Sequence, residues 1–230
     1  MNADALIEQG KARGSLDEHA GKALLTAYGV AVPQSVVVTS PDAVDGALAT
    51  LKPPFVVKVM SPDILHKSDV GGVKVGLADA AAVVDAIRTM QAVPAIAKAR
   101  VDGFLVEEMA PRGVEVVIGG VRDGDFGPMV MVGLGGIFVE VLKDVAFRIC
   151  PITRVDAAEM LDELKGAKIL DGARGGIKAS REAIVDTLLK VGGENGLLLK
   201  HAATIREADI NPLIVSERGA VAADARFILG

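Results

Sequence analysis

Arg122-Asp123-Gly124-Asp125 separates two runs of strand-forming residues, Val114 to Val121 and Met129 to Val132. So short a connection joins antiparallel neighbours, because a parallel return needs a crossover of a dozen or more residues. Two further places read the same way. Ala110-Pro111-Arg112-Gly113 between Phe104 to Met109 and Val114 to Val121 predicts a hairpin, and Glu217-Arg218-Gly219 joins Ala208 to Val215 with Ala220 to Phe227. Hairpin-linked strands mixed with helices make the expected fold class α+β rather than a doubly wound parallel sheet.

Helices are marked by their ends. Ser15-Leu16-Asp17-Glu18 has capping-box spacing, which predicts a helix running to Tyr28 and stopping at Gly29. Ser40-Pro41 starts a second helix that ends before Pro53-Pro54, and a third runs from Asp79 to about Met90. Val36 to Val38, Phe55 to Met60 and Val73 to Leu77 read as strands around a loop from Ser61 to Gly72. Further on, Gly133-Leu134-Gly135-Gly136 leads into a strand through Leu142, and helical patterns occupy Asp156 to Leu164 and Ser180 to Val191. A domain boundary is expected near residue 100, giving parts 1–100 and 101–230.

Composition removes several function classes. With 25 basic and 30 acidic residues the net charge is −5, and no basic block offers a surface to a polyanion. Six Phe, one Tyr and no Trp leave little for stacking nucleic-acid bases. The single cysteine, Cys150, excludes an internal disulfide and a cysteine-based zinc site, and its apolar neighbours Ile149 and Pro151 suit a buried thiol. The uncharged stretch Ala23 to Pro41 contains Thr26, Pro33, Gln34 and Ser35, so no membrane span is expected. The start, MNADALIEQG, lacks the basic region of a signal peptide, and a cytoplasmic protein is expected.

Candidate chemistry gathers in a few places. Lys58 in Phe55-Val56-Val57-Lys58-Val59-Met60 either faces solvent or points into a polar cleft, and Lys22 is one lysine on an ordinary helix. In His66-Lys67-Ser68-Asp69-Val70-Gly71-Gly72 the paired glycines let backbone amides approach a phosphate, and His66 is a competent phosphoryl acceptor. An incidental histidine on a surface turn fits the same spacing. His19 and His201 lack such surroundings and are expected to be solvated. Glu107, Glu108 and Glu115 at strand ends are either edge charges or acceptors for an adenine amino group and a ribose hydroxyl. Glu207-Ala208-Asp209-Ile210-Asn211-Pro212-Leu213, followed by Asp224, is the strongest acidic constellation. Asn211 and Asp224 lie on strands joined by a tight turn, and their oxygens suit Mg²⁺ shared with substrate phosphates.

In order, PFVVKV, SPDILHKSDVGGV, VEEMAP, GLGGIFVEVLKDVAFRICPI and EADINPLIV with DAR resemble the ATP-grasp β subunit of the ADP-forming acyl-CoA (acetate–CoA) ligases. They are more distantly similar to the β subunit of succinyl-CoA synthetase. The likeness runs almost end to end. It implies an ATP-grasp fold, with two α+β subdomains gripping ATP or ADP between them: a lid over 1–100 and a larger part with the metal site over 101–230. It implies Lys22 and Lys58 on the phosphates, Gly71 and Gly72 in a phosphate loop, Glu107 and the backbone around Met109 at the adenine, and Glu115 at the ribose. Asn211 and Asp224 match the Mg²⁺ ligands, and His66 the histidine that receives a phosphoryl group.

The implied reaction is acyl-CoA + ADP + phosphate ⇌ carboxylic acid + CoA + ATP. The resemblance implies a CoA-binding α subunit as partner, in an α2β2 heterotetramer. No CoA-binding Rossmann loop is expected in this chain, because Gly133-x-Gly135-Gly136 lacks the Gly-x-Gly-x-x-Gly spacing. The match departs where Gly172-Ala173-Arg174-Gly175 is followed by Gly176-Ile177-Lys178-Ala179-Ser180 in place of prolines and an aspartate, and at Ala208. Competing readings are a stand-alone carboxylate–amine ligase, a nucleotide-sensing subunit, and a segment of a fused acyl-CoA synthetase.

Overall fold

The structure, a computed structural model, describes residues 2–64, 66–136, 139 and 141–230. It divides into two compact units, Pro33–Met109 and the pair Met1–Val32 with Ala110–Gly230. In chain order, the larger unit begins with α1 (Ala3–Lys11), β1 (Ser15–Leu16) and α2 (Glu18–Ala27). The smaller contains β2 (Ser35–Val38), β3 (Phe55–Met60), β4 (Val73–Leu77), α3 (Ala80–Gln91) and β5 (Gly103–Glu108). The larger resumes with β6 (Val114–Asp123), β7 (Gly127–Leu134), β8 (Val145–Ile149), α4 (Arg154–Asp162) and α5 (Arg181–Gly192), then β9 (Ile205–Ser216), β10 (Gly219–Ala222) and β11 (Arg226–Leu229).

Among the described residues the larger unit holds a seven-stranded antiparallel sheet ordered β1-β11-β9-β6-β7-β8, with β10 also on β9. Its core lies on one face. There α5 contributes Ile184, Leu188 and Val191, one helical stripe, against Val116, Ile118, Val130 and Val132 of the central strands. The smaller unit has a four-stranded sheet, β2-β5-β3-β4. Val83, Ile87 and Met90 of α3 pack there with Phe55, Val57 and Val59, the alternate residues of β3. Each such side chain buried stabilises its unit by about 1.5–3 kcal/mol before entropy is charged.

Several expectations change. The predicted hairpin of Phe104 to Met109 with Val114 to Val121 does not form. Strand β5 is flanked by β2 and β3, and β6 by β9 and β7, so each already has both ladder partners in its own sheet. Ala110 to Gly113 is a link between units rather than a turn. The single boundary near residue 100 gives way to two, at 32/33 and 109/110. The chain's first residues return to the larger unit because Ser15 and Leu16 pair with Ile228 and Phe227.

That pairing also displaces the predicted cap. Ser15 is extended in a ladder, and Asp17 caps α2 by accepting from the Ala20 amide at 2.9 Å. The helix does stop at Gly29, whose φ of 75° lets Val30 N–H reach back to the Leu25 carbonyl. The helix expected after Ser40 breaks into three short turns, Pro41–Ala43, Val44–Ala47 and Leu48–Thr50. The strand expected through Leu142 falls partly on residues 137, 138 and 140, outside the described residues, and Val141 and Leu142 lie in a turn.

Candidate active site

Alternation decides which side chains of the larger sheet meet solvent. On β6, Val116 and Ile118 face the core, while Val117, Gly119 and Val121 line a cavity of about 420 Å³ on the other face. On β9, Ile210 is in the core and Glu207, Asp209 and Asn211 line the same cavity. Glu115, two residues before Val117, falls on that face by the same rule and is exposed. Its carbonyl accepts the Gly135 amide at 2.7 Å.

A bulge holds this arrangement. Val116 pairs with Leu213 and Ile118 with Ile210, so three steps on β9 oppose two on β6. Without the extra residue, Ile210 and Leu213 would lie on opposite faces; with it, both are buried. The inserted step is Asn211-Pro212, where proline offers no ladder donor.

The expected strand Ala220 to Phe227 is likewise interrupted at 223–225, yet its two parts keep one register on β9. Ala222 pairs with Leu213 and Arg226 with Asp209, which sets Asp224 opposite Asn211. Asp224 Oδ1 accepts the Ala225 amide at 2.7 Å.

The neighbouring Asp209 has its pKa raised, by burial first and then by the charge of Asp224, with Arg226 acting against both. Two carboxylates that repel each other beside an amide oxygen are hard donors whose crowding a divalent cation relieves, so the residues fit Mg²⁺. Among the described residues no group of three or more His, Cys, Asp or Glu could hold a metal ion by itself. Asp209 and Arg226 had no assigned role from the sequence. The signal was present in the spacing Glu207, Asp209, Asn211, which on a strand is one face.

In the smaller unit Lys58 does not face solvent. It is 7% exposed, and its Nζ lies 3.1 Å from Oε2 of Glu107, itself 2% exposed. Val56 pairs with Glu107 and Lys58 with Leu105, so the ion pair is a diagonal contact across β3 and β5. Met109 is exposed, and its amide donates to the Pro54 carbonyl at 2.9 Å.

His66 is exposed on the loop that follows β3. The amides of Gly71 and Gly72 close that loop, donating to the Ser68 and Lys67 carbonyls at 3.1 and 2.7 Å. Gly71 has φ of 72°, and a Cβ on Gly72 would sit 2.6 Å from Val59 Cγ1, so both positions need glycine for the turn. In this conformation the two amides serve the loop itself.

Lys22 is 2% exposed and pairs with Glu18 one turn earlier on α2 at 2.9 Å. His19 is exposed as expected, but His201 is not solvated. Its Nε2 lies 2.8 Å from the Tyr28 hydroxyl and its Nδ1 3.9 Å from Asp4, and burial lowers its pKa against the opposing pull of Asp4. Cys150 is buried, which pushes its thiol up to about 11. Among the described residues no helix is long and apolar enough to cross a membrane.

With this geometry in place, comparison with known proteins settles the family. A family model described as the ATP-grasp domain matches residues 7–229. The chain belongs to the ATP-grasp family. Subunit β of the ADP-forming acetate–CoA ligase I of Pyrococcus furiosus is 43% identical over 230 residues, covering 99% of this ATP-grasp chain and 97% of the relative. The ADP-forming acetate–CoA ligase I of Archaeoglobus fulgidus is 41% identical over 230 residues, covering 99% of this chain but 32% of its own length.

Among solved structures, acetyl-coenzyme A synthetase 1 of Ca. Korarchaeum cryptofilum matches with a TM-score of 0.82 at 38% identity, covering all of both chains. That structure holds coenzyme A and Mg-AMPPCP, with its phosphohistidine segment pointing towards the nucleotide binding site. The α+β class and ATP-grasp fold expected from the sequence are those of the chain.

Proposed function

We propose that this ATP-grasp chain is the nucleotide-binding β subunit of an ADP-forming acyl-CoA synthetase, acting with a CoA-binding α subunit to interconvert acyl-CoA, ADP and phosphate with carboxylic acid, CoA and ATP. One observation carries the reading: the chain matches a β subunit of this activity over its full length at 43% identity. The exposed His66 and the shared register of Asn211 and Asp224 agree with it.

In the ATP-forming direction the partner converts acyl-CoA and phosphate to CoA and an acyl phosphate. It moves that phosphoryl group onto a histidine of its own as the carboxylic acid leaves, and the P–N bond there breaks as His66 forms its own P–N bond. The P–N bond on His66 then breaks as a terminal oxygen of ADP forms the new P–O bond, and a solvent proton ends on the freed imidazole. Lys22 and Lys58, the latter paired with Glu107, serve the nucleotide phosphates, Gly71 and Gly72 the loop that carries His66, the backbone around Met109 the base, and Glu115 the ribose. Asn211 and Asp224 would hold Mg²⁺, which neutralises phosphate charge when bound. The smaller unit, with Lys58 and His66, takes the lid role, and the larger the metal site. An α2β2 heterotetramer in the cytoplasm completes the proposal.

The test mixes the chain with its α subunit, acetyl-CoA, phosphate and Mg-ADP. ATP forms, and His66→Ala and Asp224→Ala abolish it. ATP synthesis by the chain alone would refute the division of labour. ATP-dependent carboxylate–amine ligation that survives His66→Ala would favour a stand-alone ligase.

A further inference from the structure

We infer that Glu107 is a positioning residue for Lys58, holding the ammonium where it meets nucleotide phosphate, and that its carboxylate does not read the base. The inference rests on the nucleotide-binding role proposed above and assigns Glu107 a task within it other than the adenine contact that the resemblance implies. Strand β5 is an inner strand, and Glu107 lies between Ser35 on β2 and Val56 on β3. Its side chain is 2% exposed and that of Lys58 8%. A carboxylate in such a place is costly unless an opposite charge answers it, and Lys58 Nζ does so at 3.1 Å.

The dependence runs the other way as well. A lysine ammonium is a point charge on a flexible four-carbon stem, with many rotamers to lose. A fixed acceptor one diagonal step away removes that freedom before any ligand arrives. The oxygen facing the ammonium is then committed to a cation and is not aimed at an adenine amino group. Met109, exposed just beyond the end of β5, is left to border the base.

The two tasks separate by ligand. A carboxylate on the base affects adenosine and Mg-ADP alike, whereas one that positions Lys58 affects only the ligand that carries phosphates. Calorimetric titration of wild type, Glu107→Gln, Glu107→Asp, Lys58→Met and the double variant Lys58→Met/Glu107→Gln tests this. Glu107→Gln is expected to weaken Mg-ADP at least tenfold and adenosine less than twofold, with Glu107→Asp recovering most of the loss. The double variant binds no more weakly than Lys58→Met. In turnover with the α subunit the KM for Mg-ADP rises while kcat stays within threefold.

Equal losses for adenosine and Mg-ADP, or losses that add in the double variant, overturn the inference. If Glu107→Gln does not fold, Lys58→Met/Glu107→Leu replaces the buried ions with apolar bulk and must bind Mg-ADP as Lys58→Met does. Wild type that binds neither ligand overturns the nucleotide reading and this inference with it. Wild type that binds Mg-ADP alongside a Glu107→Gln that binds it equally well overturns the inference alone.

Discussion

Replacing Gly72 with alanine is the sharpest test of how the His66 loop is held. The added Cβ would lie 2.6 Å from Val59 Cγ1 and 2.9 Å from the Lys67 carbonyl oxygen. Ordinary carbon contacts are about 3.5–4.0 Å, so neither neighbour tolerates it in place. Val59 is 0% exposed and cannot swing out, and the Lys67 carbonyl is the acceptor that closes the turn at 2.7 Å. The loop must therefore give, and with it the bond from Val59 N–H to the Gly72 carbonyl at 2.9 Å.

Overpacking of this kind costs about 1–3 kcal/mol, or roughly five- to 150-fold in the equilibrium between closed and open loop. Native-state hydrogen exchange reads that equilibrium at the Val59 amide, where protection should drop by that factor while Val106, deeper in the same sheet, keeps its own. Gly71→Ala meets nothing within 4 Å and pays only for φ of 72°, about 1–2 kcal/mol. Unchanged protection at Val59 in Gly72→Ala would show that the glycine pair is not what shuts the loop.

Two other outcomes follow from buried polar groups. Asp144, 4% exposed, accepts the Lys165 and Gly166 amides at 2.8 Å each; Asp144→Asn turns an amide NH₂ towards one donor and should lower stability by about 1.5–3 kcal/mol in urea unfolding. Burial lowers the His201 pKa from its ordinary value of about 6.5 against the opposing charge of Asp4, so just below that pH the unfolded chain binds more protons than the folded one and stability falls as pH drops; His201→Gln should flatten this slope in thermal melts between pH 7 and 5, and an unaltered slope would point to other groups.

Local features were legible because their causes are local. Asp79 caps α3, Gly29 ends α2, and the turn before Met129 joins β6 to β7, each settled by chemistry within a few residues. The spacing of Glu207, Asp209 and Asn211 put three polar groups on one face for the same reason. The opening helix, capped by Asn2 onto the Ala5 amide, lay in a segment read only for targeting signals. The shared register of Asn211 and Asp224 was within reach of the sequence because one tight turn fixes β9 on β10, and β11 keeps it.

What sequence alone determined is therefore the α+β class, most of the strands, and the helices and turns whose caps and breakers lie within a few residues. Tertiary structure decided the pairings. It drew Ser15 and Leu16 into a ladder with residues more than two hundred positions away, and it sent β5 and β6 into different sheets. It also turned Lys58 onto Glu107 and buried His201 against Tyr28. A strand's residues record that it needs neighbours and which face is apolar, but its ladder bonds come from backbone common to every residue. The choice of partner is made only when all the strands compete for edges within one fold.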